Sequence, residues 1–261
     1  MIKYQNKLVA FIDVLGFKHL IDSKNLDILE NYFDYISKEL DKYFNGKKRS
    51  FILISDAIVI YDDFSIENLT SLIHTIGMIQ AKLLSRKILL RGAISFGKLF
   101  VDEEKNIIVG PGLVNAYQLE SIAENPQIIL DRRLLAINDV LIQLRRKRNS
   151  KWLNFENFDA DTSGFIYINY FKFITDFTFF QRHDRIYIIV DFIIDNLFNN
   201  KTFKKYQWVK FRLENELKTN MEYLSNRLET VKNKTSARKI IKFNSIALER
   251  LIKVTASNKR S

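Results

Sequence analysis

Two carboxylates stand in apolar segments, where an ionised side chain is costly. The run LVAFID (8–13) ends in Asp13, and FILISDAIVIY (51–61) is interrupted by Ser55 and Asp56. Removing a charged carboxylate from water costs several kcal/mol unless a hydrogen bond, a counter-charge or a metal ion compensates it. Taken singly, Asp13 could cap a helix and Asp56 could serve a hairpin turn. Taken together at neighbouring positions they would repel each other, which favours a divalent cation between them.

The elements that must position these residues follow the order β-α-β-β-α-β and then β-α-β. Hydrophobic spacing and punctuation by glycine, proline and polar residues predict strands at 8–13, on both sides of Ser55-Asp56, at 88–100, at IIVG and at 127–130, and helices at 25–44, 65–85 and 113–124. This order predicts an α/β (α+β) fold with a ferredoxin-like sheet and added strands. In such a sheet the first strand lies beside the third, so we expect Asp13 and the hairpin turn at Asp56 to be neighbours.

The segment after Asp13 adds a place for an anion. VLGFKHL contains Gly16, which allows a tight turn, and backbone amides ahead of a short helix can hold phosphate. Carboxylates beside a phosphate-holding turn predict a site for a metal-bound nucleotide.

Four blocks in order resemble class III nucleotidyl cyclases, most closely the bacterial pyrimidine cyclases of the Pycsar antiphage system: FIDVLGF, ISDAIVIY, LRGAISFGKLF and VGPGLVNAYQLE, together covering roughly residues 8–130. The resemblance implies that Asp13 and Asp56 are the metal-binding aspartates and that the Val14 carbonyl completes one metal shell. It also implies that residues 14–17 form the phosphate-holding turn, so that the nucleotide-binding set is Phe11, Val14, Leu15, Gly16 and Phe17. The side chain of Phe17 is expected to pack rather than to stack on a base.

The activity implied by this resemblance is a lyase reaction with two divalent ions, Mn²⁺ or Mg²⁺, per site. UTP or CTP would be converted to cUMP or cCMP and pyrophosphate, with UTP preferred by analogy to the subfamily. The resemblance further implies a homodimer in which the helix 112–124 completes the partner's site. The product would signal phage infection to a separate cyclic-nucleotide-binding effector.

Departures from the purine cyclases concern the base and the transition state. The positions of the two base-reading residues hold Ile52 and Ile107, which cannot hydrogen-bond a purine edge through their side chains. Counting back from Glu120, the positions of the transition-state asparagine and arginine hold Val114 and Gln118. Either other groups act in their place or the protein is a catalytically inactive nucleotide-binding regulator.

The candidate replacements for that pair are Arg91, Lys98, Asn115 and Gln118, of which Arg91 and Asn115 are included in the predicted catalytic set with Asp13 and Asp56. Asn115 lies one position from the expected one, which turns it about 100° around a helix, and general propensity favours an ordinary exposed helix residue over a catalytic one. Arg91 could reach a phosphate or tie the sheet together. The phosphate contact and the structural role of Arg91 both remain open.

The amino-acid composition argues against some kinds of metal site and against a membrane segment. The chain has 261 residues, no cysteine and three scattered histidines, which argues against thiolate or histidine-rich zinc sites and for a hard cation on oxygen ligands. The first residues do not read as a signal peptide, and the apolar segment 186–198 is too short to span a membrane and contains two aspartates. It is expected to form a buried helix or strand. We expect a cytoplasmic protein without membrane segments.

The charge divides the chain. Residues 201–261 hold 16 Lys and Arg against five Glu, which accounts for the whole net charge of +11. We predict a cyclase homology core over 1–150, including a helix over 132–148, and an aromatic-rich segment and basic helical extension over 151–261, with two helices between 204 and 255. The basic extension leaves nucleic-acid binding as an alternative function, although a solvated helical face is the more ordinary interpretation.

Overall fold

The computed structural model describes residues 2–22, 26–45, 50–105, 107–136, 158–160, 164–175, 185–230 and 233–257. The chain divides into two compact units, one of Met1–Leu83 with Ile88–Asn169 and one of Leu84–Lys87 with Tyr170–Ser261. The division predicted between residues 150 and 151 falls on residues outside the described part and stays a prediction. The same holds for the predicted helix over 132–148 beyond its first residues.

The described part of the first unit contains a sheet and five helices in the predicted order. Its elements are β1 (Gln5–Leu15), α1 (Phe17–Asp22), α2 (Leu26–Phe44), β2 (Phe51–Ile54), β3 (Ala57–Asp63), α3 (Ile66–Leu84), β4 (Leu89–Asp102), β5 (Ile107–Val109), α4 (Pro111–Ile122), β6 (Ile128–Leu130), α5 (Arg132–Ala136), β7 (Phe158–Ala160) and β8 (Ile166–Ile168). The start of α3 carries a capping contact, in which the Oγ of Ser65 accepts a 2.9 Å hydrogen bond from the Asn68 amide.

The strand order is β2-β3-β1-β4-β6-β8-β7, and β5 pairs with β4 away from this path. Strands β4 and β6 run parallel, whereas the other pairs are antiparallel. The order β2-β3-β1-β4 is that of a ferredoxin-like β-α-β-β-α-β unit. The predicted fold is therefore confirmed, and β5, β6, β7 and β8 are the strands added to it.

The two faces of β1 are buried by different helices. Leu8 and Ile12 pack in a large core with residues of α2 and α3, such as Tyr32. Val9, on the opposite face, packs with Ala116 of α4. Because successive side chains of a strand alternate between faces, the odd-numbered Asp13 belongs to the α4 face of the sheet.

Two glycines let α4 approach the sheet closely. A Cβ atom at Gly97 of β4 would lie 2.9 Å from the Cα of Gly112, the second residue of α4. A Cβ atom at Gly112 would in turn lie 3.2 Å from the carbonyl carbon of Gly97. These glycines therefore set the distance between α4 and β4, and with it the position of every side chain that α4 directs at the sheet.

The described part of the second unit is helical: α6 (Phe171–Thr175), α7 (Arg185–Asn196), α8 (Phe203–Asn226) and α9 (Lys234–Ser257). The two predicted C-terminal helices are confirmed as α8 and α9, and the apolar segment 186–198 is a helix, α7, rather than a strand. Asn244 of α9 donates a 3.0 Å hydrogen bond from Nδ2 to Oδ1 of Asn220 on α8. Among the described residues, no helix combines the length and apolar character needed to cross a membrane.

Candidate nucleotide and metal site

The end of β1 lies against the turn between β2 and β3. Asp13 pairs with Ala57, the first residue of β3. The Val14 amide donates a 3.0 Å hydrogen bond to the main-chain oxygen of Asp56. Ser55 forms the turn with a left-handed φ of 55°. The two segments that were predicted to be neighbours are therefore joined directly by backbone contacts.

The pKa of the Tyr32 hydroxyl is affected by the charges of both Asp13 and Asp56. This side chain of α2 is buried, with 1% of its surface exposed. Burial raises the pKa of Tyr32 well above its ordinary value, and the negative charges of Asp56 and then Asp13 raise this pKa further. The charges of both acids therefore act on the same phenol.

The donor set fits a hard divalent cation. Mg²⁺ and Mn²⁺ are bound through carboxylate, carbonyl, water and phosphate oxygens, and sites for nucleotides commonly use only one or two protein carboxylates. Within the described ranges, no group of three or more His, Cys, Asp and Glu side chains could hold a metal ion. Asp13 and Asp56 would thus act as a pair, and the Val14 carbonyl, water and phosphate would complete the coordination.

The turn after Asp13 combines an open backbone with a buried anchor. Gly16 has a φ of +80°, and no atom lies within 4 Å of the position of a Cβ there. Phe17 is 6% exposed, and its ring packs edge-on against Tyr32 and Phe33. Its side chain therefore packs as expected, while the main chain of the turn stays open at Gly16. Leu15 before it is partly buried.

Arg91 links β1, β4 and α4. It pairs with Asp13 in the register of β1 and β4, and its Nη2 lies 3.4 Å from Oδ2 of Asp13. Its Nε lies 2.6 Å from Oε1 of Glu120, and its Nη1 donates a 3.4 Å hydrogen bond to the carbonyl oxygen of Ala123. These contacts show Arg91 tying the sheet to α4. A contact with phosphate remains a prediction.

Glu120 is a site residue that the sequence did not reveal as one. Its side chain is 5% exposed, and the Oγ of Ser121 lies at hydrogen-bonding distance, 3.5 Å, from its Oε2. Burial raises the pKa of Glu120, Arg91 opposes this increase, and the Asp13 charge adds to it. The only signal in the sequence is its spacing, because the buried residues of α4 are Gly112, Ala116 and Glu120, an i, i+4, i+8 series.

The remaining predicted residues lie on or near the outer side of α4. Asn115 is partly buried, while Gln118 is exposed. Tyr117 is 55% exposed, and its ring meets that of Phe11 edge-to-face at 5.4 Å. The structure thus places Phe11 and Asp13 on the face of β1 that α4 covers, two residues apart, but shows no contact between Asn115 and either aspartate.

Comparison with known proteins gives structural similarity only. No protein-family model matches the chain, and no curated protein sequence matches it. Similar solved structures include the adenylyl cyclase CyaB from P. aeruginosa, with 16% identity, coverage of 55% of this chain and 83% of that chain, and a TM-score of 0.46.

Two further similar structures are also cyclases by name. A bacterial light-regulated adenylyl cyclase shows 17% identity, coverage of 64% of this chain and 92% of that chain, and a TM-score of 0.44. An adenylate/guanylate cyclase/hydrolase from Silicibacter pomeroyi shows 16% identity, coverage of 64% and 96%, and a TM-score of 0.44. At these values no residue role or activity is transferred from them. The strand order and the helical C-terminal part agree with the expected ferredoxin-like sheet with added strands and a helical extension.

Proposed function

We propose that this protein is a nucleotidyl cyclase that converts a pyrimidine nucleoside triphosphate, UTP or CTP, to cUMP or cCMP and pyrophosphate. The observation that carries the proposal is the backbone link between β1 and the β2-β3 turn, which brings the charges of Asp13 and Asp56 to one end of the sheet. A pair of hard oxygen donors beside an open turn suits a metal-bound triphosphate.

The two aspartates and the turn after Asp13 have separate roles in the proposed reaction. Asp13, Asp56 and the Val14 carbonyl would hold two Mn²⁺ or Mg²⁺ ions, which when bound lower the pKa of the ribose 3′-hydroxyl and neutralise the triphosphate. The backbone of residues 14–17 binds phosphate and orients it for in-line attack. The 3′-oxygen then bonds to the α-phosphorus, the bond from that phosphorus to the bridging oxygen breaks, pyrophosphate leaves, and the hydroxyl proton passes to solvent.

Two apolar side chains weaken the case for a purine substrate. Ile52 on β2 is partly buried, and Ile107 on β5 is 42% exposed. These positions match those at which the purine cyclases carry base-reading residues, and neither isoleucine can hydrogen-bond a purine edge. The preference for UTP over CTP rests on the resemblance to the subfamily.

A homodimer is supported by an exposed apolar patch on β5 and α4. Ile107 and Val109 of β5 are 42% and 43% exposed, and Val114 and Tyr117 of α4 are 50% and 55% exposed. Exposed apolar side chains grouped on adjacent elements are typical of association surfaces. This patch includes the helix that the resemblance assigns to the partner's site. By the same resemblance, the product would activate a separate cyclic-nucleotide-binding effector in antiphage defence.

A second candidate function is nucleotide binding without catalysis. It is favoured by Val114 and Gln118, which occupy the positions of the transition-state pair of the purine cyclases. Such a protein would bind a metal-loaded nucleotide and regulate a partner without releasing pyrophosphate.

One assay separates these functions. The purified protein is incubated with each of the four nucleoside triphosphates and Mn²⁺, and products are resolved by mass while nucleotide binding is measured by calorimetry. We expect cUMP or cCMP together with pyrophosphate. Binding without any product would favour the regulator, whereas cyclic purines alone would contradict the assigned base preference.

A further inference from the structure

The Arg91 guanidinium lies between two carboxylates but is not shared equally. Its Nε is 2.6 Å from Oε1 of Glu120, whereas its Nη2 is 3.4 Å from Oδ2 of Asp13. Glu120 is also the more buried acid, with a side chain 5% exposed against 22% for Asp13. Glu120 is therefore the closest opposite charge to the guanidinium, although Nε and Oε1 are not aligned for a hydrogen bond and the Nη2 hydrogen bond goes to Asp13.

This unequal sharing affects how much negative charge Asp13 presents. A cation beside a carboxylate stabilises its charged form and competes with any second cation for the same oxygens. One guanidinium can neutralise only one carboxylate, and the carboxylates of Asp13 and Glu120 both lie within reach of Arg91. As long as Glu120 balances the charge of Arg91, the guanidinium competes less with a metal ion for the Asp13 oxygens.

We propose that Glu120 is a positioning residue that acts through Arg91: it holds the guanidinium on α4 and so keeps the Asp13 carboxylate available to a divalent cation. This inference rests on the proposed function, because it takes Asp13 as a metal ligand. Glu120 itself does not contact the metal ions or the nucleotide. Its effect is electrostatic and geometric.

A purely structural ion pair between α4 and β4 makes a different prediction. In that case the Glu120→Gln variant loses stability, and removing Arg91 as well gives no recovery of metal binding. If Glu120 instead restrains the charge of Arg91, removing that charge from the Glu120→Gln variant restores the affinity of the site for metal. The double variant therefore separates the two roles.

The test is a titration of full-length protein with Mn²⁺ alone, in which unbound Mn²⁺ is followed by electron paramagnetic resonance. Nucleotide is omitted so that a contact between Arg91 and phosphate cannot contribute. The variants are Glu120→Gln, Arg91→Met and the double variant. Glu124→Gln is the control, since it removes one negative charge from an exposed residue just after α4. Circular dichroism confirms that each variant is folded.

We expect Glu120→Gln to weaken Mn²⁺ binding about tenfold, since an uncompensated guanidinium then pairs with Asp13. The double variant should return to within about twofold of the wild type, and Glu124→Gln should equal it. Arg91→Met should bind Mn²⁺ at least as tightly as the wild type, which supplies a test even if Glu120→Gln does not fold.

Three results would overturn the inference. Glu120→Gln could bind Mn²⁺ like the control, the double variant could be no better than Glu120→Gln, or folded Arg91→Met could bind more weakly than the wild type. In each of these cases, wild-type binding that is lost in Asp56→Asn leaves the proposed function standing. A wild-type protein that binds no Mn²⁺ would remove both.

Discussion

The main-chain amide of Val14 donates a 3.0 Å hydrogen bond to the carbonyl oxygen of Asp56. This bond fixes the end of β1 against the β2-β3 turn without using either aspartate side chain. The backbone pairing therefore brings the main chain at Asp13 beside that at Asp56, while the Asp13 side chain accepts a 3.4 Å hydrogen bond from Arg91. Substitution of either carboxylate by an amide should leave the scaffold in place.

The backbone of this turn should determine its sensitivity to substitution. Ser55 adopts a φ of 55°, a conformation that glycine tolerates and β-branched residues disfavour. Ser55→Val should lower the free energy of unfolding by about 1–2 kcal/mol, while Ser55→Gly should be neutral or slightly stabilising. Urea unfolding of the two variants measures this difference. Equal stability of both variants would show that the left-handed turn is not populated.

The packing of α4 on β4 should tolerate no side chain at Gly97. A Cβ there would lie 2.9 Å from the Cα of Gly112. Because the neighbouring atoms belong to the backbone of α4, the clash can be relieved only by moving the helix. Gly97→Ala should destabilise the protein by about 1–3 kcal/mol and lower catalytic activity. Gly16→Ala is the control for stability alone, because its Cβ meets no atom within 4 Å and costs only backbone strain of about 1 kcal/mol. An equal loss in both would refute the close-approach argument.

The buried Glu120 should make stability depend on pH. Burial is the largest cause of its raised pKa, Arg91 opposes that increase, and the Asp13 charge adds to it. The folded state therefore holds this proton more tightly than the unfolded chain. The contribution of Glu120 to stability is present below its ordinary pKa of 4.5 and is lost as the pH rises through the raised value.

Urea unfolding at several pH values checks the direction of this pH dependence. The stability of the wild type relative to Glu120→Gln should fall as the pH increases from 4 to 7. Arg91 and Ser121 limit this fall, because both stabilise the charged form of Glu120. A difference that grows with pH would mean that the ion pair with Arg91 outweighs the cost of burial.

Association through the patch of Ile107, Val109, Val114 and Tyr117 should depend on its apolar character. Val109 is 43% exposed, so Val109→Glu should spare the fold but place a charge in the contact, which is costly on burial. Sedimentation velocity should show a dimeric wild type and a monomeric, inactive variant. Ile252→Glu on α9, which changes a residue 46% exposed, should remain dimeric. A monomeric wild type with full activity would contradict the predicted homodimer.

Much of the first unit could be predicted because local signals and burial agree. The interrupted run FILISDAIVIY is two strands with Ser55 and Asp56 between them. The side chain of Ser65 caps α3, a contact between residues three positions apart. Amphipathic spacing predicted the ends of α2 and α3 to within one or two residues. These segments carry their own turn, cap and hydrophobic pattern, so the sequence around each of them is sufficient.

The rest depends on contacts between distant residues. Strands β7 and β8 have three residues each, too few for a period-2 pattern, and β8 meets β6 at one pair, Tyr167 with Ile129. The role of Glu120 is visible only when Arg91, 29 positions earlier in the chain, is folded beside it. The base-reading groups and the replacements for the transition-state pair also stay open at the level of sequence.

The most direct test of the central claim is pyrophosphate release from UTP or CTP with Mn²⁺ by the wild type, Asp13→Asn, Asp56→Asn and Asp63→Asn. The last variant makes the same chemical change at the end of β3, where Asp63 pairs with Lys7 at 2.7 Å on the surface. We expect Asp13→Asn and Asp56→Asn to lose at least about a hundredfold in rate while Asp63→Asn retains the wild-type rate. If Asp56→Asn releases pyrophosphate as fast as Asp63→Asn does, the two aspartates do not form the catalytic site.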